Sequence, residues 1–131
     1  MAFELNTRAS KDTFTLQLLD PATSAPLWSD EEETMPVSID IFGKSSKQYR
    51  NAITKMQNAQ FSRGKQKLTA EQLRADGTAL LVACSSKTNN LVVDGEEVST
   101  PEGFHKLYSS PKFEWCRSQV DAAIEDVSNF L

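Results

Sequence analysis

The chain has 131 residues, of which 39% are hydrophobic and 24% are charged, close to the averages of ordinary globular proteins. This length suits one compact domain with a substantial core, so we expect residues 1–131 to form a single domain. No run of about 18 or more apolar residues occurs, which argues against a membrane span, and no signal peptide is visible. We therefore expect a soluble protein in the cytoplasm.

Two candidate β-strands come first in the chain. Residues 13–19 (TFTLQLL) and 36–42 (PVSIDIF) alternate apolar with polar side chains, which is typical of half-buried strands. We predict that they form an antiparallel pair. The connecting residues 20–36 contain prolines and the acidic run Asp30–Glu33, and we expect this loop to be mobile or to be ordered by a partner. Trp28 lies in the loop, where its ring either folds back on the core or anchors a partner.

Helical spacing of apolar residues begins after the second strand. A first helix is predicted from about Ser46, with Tyr49 on its apolar face and Lys47 and Arg50 on its polar face. Thr69 and Gln72 fit a capping box, in which each side chain accepts a hydrogen bond from a backbone N–H group at the start of a helix. A second helix is therefore expected from about residue 70.

The last third of the chain predicts a small hairpin followed by two more helices. Asp94-Gly95 stands between short apolar arms, as in two-residue hairpin turns. Thr100-Pro101 is a helix start signal, and a final helix is predicted from Pro111 to Phe130. The fold class is therefore α+β, with a strand pair, about four helices and the hairpin before the last two. The apolar line of the final helix comprises Phe113, Cys116, Val120, Ala123, Ile124 and Val127.

Charges are segregated along the chain, although the net charge is only −4. Residues 1–42 carry two basic and eight acidic side chains, residues 43–74 carry eight basic and one acidic, and residues 75–131 carry four basic and nine acidic. A basic middle of this kind binds nucleic acid, an acidic partner or the acidic parts of the same chain. Because no aromatic platform or known nucleic-acid motif accompanies the basic residues, nucleic acid is the less favoured partner.

The sequence offers no recognisable catalytic, metal or cofactor centre. Its only histidine, His105, has no set of ligands at a suitable spacing, and Cys84 and Cys116 lie in apolar patterns without a CxxC motif or a nucleophile motif. We expect two free thiols, no cofactor and no enzymatic activity. The predicted function is therefore binding.

Three strings of the chain resemble the small tail-assembly chaperones of long-tailed bacteriophages. They are GKSSKQYRNA at residues 43–52, LVACSSKTNNLVVDGEEVSTPE at residues 80–102 and FHKLYSSPKFEWCRSQVDAAIEDVSNFL at residues 104–131. The similarity covers most of the chain outside the loop at residues 20–36, and the C-terminal string is the most specific. The chain departs from the family at Thr88-Asn89-Asn90, where relatives often carry a tryptophan.

The resemblance implies a protein of the host cytoplasm that coats the phage tape-measure protein, keeps it soluble and helps to recruit tail-tube protein. Two other classes remain open: a structural part of the virion, such as a tail-completion, head–tail joining or decoration protein, and a small nucleic-acid-binding regulator. Phe130 and Leu131 lie at the chain end, where we expect them to dock on the domain or on a partner. The predicted partner-binding residues are Trp28, Lys47, Tyr49, Arg50, Trp115, Phe130 and Leu131, with Trp115 expected at an edge of the core.

Overall fold

A computed structural model of the chain describes residues 1–64 and 69–131. The described residues form a three-stranded sheet, a two-stranded hairpin and four α-helices, so the predicted α+β class and N-terminal strand pair are confirmed. Within these residues, none of the helices combines the length and apolar character needed to cross a membrane. The elements are β1 (Thr13–Gln17), β2 (Ser38–Phe42), α1 (Lys47–Ser62), α2 (Ala70–Ala83), β3 (Ser85–Asn89), β4 (Val92–Val93), β5 (Glu96–Glu97), α3 (Pro101–Ser109) and α4 (Glu114–Glu125).

Strand β2 is the centre of the three-stranded sheet. It pairs antiparallel with β1, where Leu16 faces Ile39, and antiparallel with β3, where Ile39 faces Thr88. A register shift between Asp40 and Ile41 bends the β2–β3 pair. Strand β3 was not predicted because its sequence, SSKTN, has no apolar alternation, so only its pairing with β2 defines it.

The loop between β1 and β2 is held by backbone hydrogen bonds at its base. The Leu27 N–H group donates to the Leu18 carbonyl at 2.9 Å, and the Val37 N–H group donates to the Leu27 carbonyl at 3.1 Å. This places Leu27, rather than Trp28, against the core. The carboxylate of Asp30 accepts a hydrogen bond from the Thr34 hydroxyl and others from the backbone N–H groups of Met35 and Thr34, and these hydrogen bonds lower its pKa. The mobility of the loop stays a prediction.

Local sequence signals determine the helix starts and the hairpin turn. Ser46 caps α1 by accepting a hydrogen bond from the Tyr49 N–H group at 3.1 Å. The predicted Thr69–Gln72 capping box of α2 is confirmed, because each of the two side chains accepts a hydrogen bond from the backbone N–H group of the other residue. Between β4 and β5, Asp94-Gly95 takes φ angles of 52° and 82°, the left-handed conformation that such a turn requires, so the predicted hairpin is confirmed.

The predicted final helix from Pro111 to Phe130 is wrong in its extent. The structure divides this segment into a 3₁₀ turn at Pro111–Phe113, helix α4 at Glu114–Glu125 and a second 3₁₀ turn at Val127–Phe130. Asp126 causes the second break, because its backbone is extended and its carboxylate accepts a hydrogen bond from the Ser128 N–H group at 3.0 Å. Val127 is consequently 54% exposed and does not continue the buried line of α4.

The core lies between the sheet and helices α2, α3 and α4. Phe130 closes it at the chain end: its ring meets Phe14 edge-on at 5.9 Å and lies so close to Gly43 that a Cβ atom there would be 2.7 Å from the ring. The rest of the core is apolar and buried, and its members include Leu18, Ile39, Ile41, Leu81, Cys84, Phe104, Leu107, Tyr108, Cys116, Val120 and Ile124.

We predict that Ile124→Ala destabilises the protein much more than Val127→Ala. Ile124 is 3% exposed, so its truncation leaves a cavity and should lower the free energy of unfolding by about 2–5 kcal/mol. Val127→Ala should change the free energy of unfolding by about 0.5 kcal/mol or less. Urea unfolding followed by circular dichroism measures both, and equal losses would contradict the break of the helix at Asp126.

A second prediction concerns the chain end. Phe130→Ala should lower the free energy of unfolding by about 3–5 kcal/mol, because Phe130 is 3% exposed and packs on Phe14. The matched control is Leu131→Ala, whose side chain is 51% exposed and whose truncation should cost about 0.5 kcal/mol or less. Thermal unfolding of both variants beside the unchanged protein provides the test, and a fully stable Phe130→Ala protein would be inconsistent with this core.

Candidate functional site: the groove between α1 and α2

Helices α1 and α2 pack side by side and leave an apolar groove of about 250 Å³ between them. The early residue Ala52 of α1 shares the groove with the late residue Ala83 of α2, which shows that the helices run antiparallel. We call this feature the α1–α2 groove. Its lining comprises Ala52, Lys55, Met56, Ala59, Asp76, Ala79, Leu80 and Ala83.

The groove exists because small side chains face each other across the two helices. Four of the eight lining residues are alanines, and Met56 and Leu80 are the large apolar side chains among the other four. Helix α1 also contains no buried residue along its 16 positions. A helix of this length in a globular protein usually buries one face, whereas the apolar line of α1, which includes Tyr49, Ile53 and Met56, is only half-buried.

An ion pair joins the two helices at one end of the groove. Arg63, just after α1, donates two hydrogen bonds to the Asp76 carboxylate, at 3.0 and 3.1 Å, and Gln60 adds a third at 3.4 Å. The hydrogen bond from Arg63 holds the pKa of Asp76 below its ordinary value, and the same contact raises the pKa of Arg63. The negative charge of Asp76 is therefore already balanced within the domain.

The exposed side of α1 is basic. Lys47, Arg50 and Lys55 lie on α1, whose sequence contains no acidic residue. Among residues 1–64 and 69–131, none of these three cations forms an ion pair, whereas Lys44, just before α1, pairs with Glu125. Phe61, near the end of α1, is 91% exposed. Helix α1 therefore offers unpaired positive charge beside an uncovered apolar groove.

Three of the predicted partner-binding residues lie together in the first turn of α1. Lys47 and Arg50 are exposed, and Tyr49 is half-buried against the edge of the core. Burial raises the pKa of Tyr49, and the nearby Lys44 opposes this effect. Tyr49 therefore attaches the start of α1 to the body, while the two cations point to solvent.

The other four predicted residues lie on different elements. Trp28 is half-buried in the loop before β2, and Trp115 is half-buried on α4, where it packs against the core as expected. Phe130 is buried in the domain's own core and offers no exposed ring to a partner, whereas Leu131 is half exposed. The structure therefore does not gather the seven residues into one surface.

Sequence reasoning missed the alanines of the groove. Ala52, Ala59, Ala79 and Ala83 are good helix formers, so they were not singled out as surface features. A usable signal was present: the two helices are joined by a short connection and so must lie next to each other, and both carry alanines at helical spacing.

The residues with reactive side chains are placed for structure. Burial raises the pKa of Cys84 to about 11 and that of Cys116 to about 12, so both thiols are protonated at neutral pH and are weak nucleophiles. His105 is exposed and lies 3.4 Å from the Ser109 hydroxyl. In the described part of the chain, no group of three or more histidine, cysteine or acidic residues is arranged to hold a metal ion.

Comparison of the chain with known family models, curated proteins and solved structures found no match. The similarity of its motifs to tail-assembly chaperones therefore stays a prediction.

We predict that the Arg63–Asp76 ion pair, which joins α1 to α2, stabilises the protein at neutral pH and loses this effect in acid. Because the pKa of Asp76 is lowered in the folded state, its contribution to stability is present above the unfolded pKa of about 3.9 and is lost as the pH falls through the folded value. Asp76→Asn should therefore lower the free energy of unfolding at pH 7. The difference in free energy of unfolding between this variant and the unchanged protein should become smaller at about pH 3. Urea unfolding at both pH values measures this.

Asp12→Asn is the matched control for that prediction. Asp12 is exposed, and its carboxylate has no hydrogen-bond or ion-pair partner within residues 1–64 and 69–131. This variant should unfold like the unchanged protein at both pH values. The prediction fails if Asp76→Asn lowers the free energy of unfolding by the same amount at pH 7 and at about pH 3. The ion pair would then not be the source of the effect.

Proposed function

We propose that this protein is a non-catalytic chaperone of phage tail assembly, which works in the host cytoplasm by binding the tape-measure protein and helping to recruit tail-tube protein. The observation that carries the binding role is the α1–α2 groove, an open apolar surface on a helix that buries no residue in its own domain. The choice of partner rests on the resemblance of residues 43–52, 80–102 and 104–131 to that family.

The groove suits a helical partner. Amphipathic helices bind proteins by laying an apolar face into a hydrophobic groove, with anchors at positions i, i+3 or i+4, and i+7. A tape-measure protein is a long helical chain whose apolar stripe needs cover until the tail tube forms around it. Met56 and Leu80 provide the larger contacts in the groove, and the alanines allow close approach of the partner backbone.

A nucleic-acid-binding role is the second candidate, because α1 carries three unpaired cations among the described residues. Phosphate binding depends on such charges and weakens steeply with salt. It makes no use of the adjacent apolar groove, however. The two roles are separated by a salt titration with duplex DNA and single-stranded RNA: nucleic-acid binding that persists at physiological salt would favour this second role.

We predict that filling the groove abolishes the chaperone activity without unfolding the protein. Ala79→Trp places a large ring at the groove, and Ala79 is exposed, so the fold should tolerate the change. Because Ala79 also lines a cleft beside Pro101 and His105 of α3, Ala59→Trp, at an exposed groove alanine of α1, is made beside it and should have the same effect. The matched control is Ala75→Trp, on the same helix but outside the groove lining. Co-expression with a tape-measure fragment should yield soluble complex with the unchanged protein and Ala75→Trp, but little with Ala79→Trp.

The composition of purified phage particles tests the proposed class. A chaperone leaves before the particle matures, so mass spectrometry of virions should detect the tube and tape-measure proteins without this chain. A stoichiometric amount of the chain in mature virions would instead establish a structural part of the tail or head. Equal yields of soluble complex with Ala75→Trp and Ala79→Trp would move the binding site away from the groove.

A further inference from the structure

The charge beside the α1–α2 groove bears on which kind of helix the groove would bind. Building on the proposed function, we infer that the groove takes an amphipathic helix whose apolar stripe is flanked by acidic side chains, and that the tape-measure segment bound there has this character. The inference rests on the charge of α1, the internal neutralisation of Asp76 and the dimensions of the groove.

The groove is bordered by positive charge on the α1 side. Lys55 lines the groove itself, whereas Lys47 and Arg50 are exposed in the first turn of α1, outside the lining, and add to the positive charge of the helix as a whole. Attraction between opposite charges across an interface speeds association and rejects partners of the wrong sign. A partner helix with basic flanks would be repelled by Lys55 at the rim of the groove and by the overall positive charge of α1.

The acidic residue of the groove does not cancel this charge. Asp76 is the acid in the lining, and its carboxylate already accepts two hydrogen bonds from Arg63. The next cation of α2, Arg74, is likewise paired, with Glu114 of α4 at 2.7 Å. The charge left for a partner at the groove is therefore that of α1, and it is positive.

The dimensions of the groove fit about two turns of a helix. Its α1 lining extends from Ala52 to Ala59, eight residues whose first and last Cα atoms are about 10 Å apart along the helix axis. Its volume of about 250 Å³ is below the range of about 300–1,000 Å³ typical of small-molecule pockets. An open groove with these dimensions takes a row of small or medium apolar side chains at i, i+3 or i+4, and i+7.

Two designed peptides of about 20 residues test the inference on the full chain. They share one apolar stripe of alanine and leucine, and they differ only in carrying glutamate or lysine beside it. The chain has three methionines, Met1, Met35 and Met56, of which only Met56 lines the groove. Labelling the methionine methyl groups with ¹³C therefore gives one reporter in the groove and two internal controls.

The glutamate peptide should shift the NMR signal of the Met56 methyl group and leave those of Met1 and Met35 in place, and the lysine peptide should not shift it. Equal shifts with both peptides would overturn the selection by charge. No shift of Met56 with either peptide would overturn the groove as the docking site.

Charge reversal on α1 provides the second arm. The triple variant Lys47→Glu, Arg50→Glu, Lys55→Glu should weaken binding of the glutamate peptide by at least about tenfold in Kd, which corresponds to about 1.4 kcal/mol. The control, Arg8→Glu, Lys11→Glu, Lys112→Glu, changes the net charge equally at exposed positions away from the groove and should bind the peptide normally.

The same variants separate this inference from the proposed function. If the unchanged protein and the α1 triple variant solubilise a tape-measure fragment equally well, the inference fails and the proposed function stands. If the glutamate peptide binds at Met56 but the unchanged protein binds no tape-measure fragment, the acidic-helix site stands and the proposed function fails.

Discussion

The burial of strand β2 is the constraint on which the rest of the structure depends. Ile39 and Ile41 are fully buried, and both neighbouring strands and helix α4 pack around β2. A shift of one residue in its register would turn both isoleucines toward solvent, so the apolar pattern determines the pairing. The chain leaving β2 passes Gly43, where the Phe130 ring leaves no room for a Cβ atom, and then reaches Ser46, which caps α1. The strand thus determines where the α1–α2 groove is placed.

The α1–α2 groove belongs to the part of the domain that depends least on the core. Helix α1 has no buried residue, and it is attached through the half-buried Tyr49 at its start and the Arg63–Asp76 ion pair at its end. Regions with few buried apolar contacts open at a smaller free-energy cost than the core does. We therefore expect α1 to open at a lower free-energy cost than β2 and α4.

Some elements could be predicted from the sequence because neighbouring residues determine them. Others could not, because they depend on contacts between distant parts of the chain. The Thr69–Gln72 capping box and the Asp94-Gly95 turn use only neighbouring residues, and the structure confirms both. Strand β3 is polar and exists through hydrogen bonds to β2, and the break at Asp126 comes from a side chain that competes with the helix backbone. The groove was not predictable from either helix alone, because it arises where the alanines of one face those of the other.

The structure also shows where the cations of the basic middle of the sequence lie. Three of its cations, Lys44, Arg63 and Arg74, are used within the domain, where they pair with Glu125, Asp76 and Glu114. Lys65 and Lys67 lie outside the described residues. The cations of this stretch that face solvent without an ion-pair partner among the described residues are Lys47, Arg50 and Lys55 of α1, and of these Lys55 lines the apolar groove. Proteins that bind single-stranded nucleic acid combine positive charge with exposed aromatic rings, whereas an amphipathic helix binds in an apolar groove, so the groove beside Lys55 supports the proposal of a protein partner.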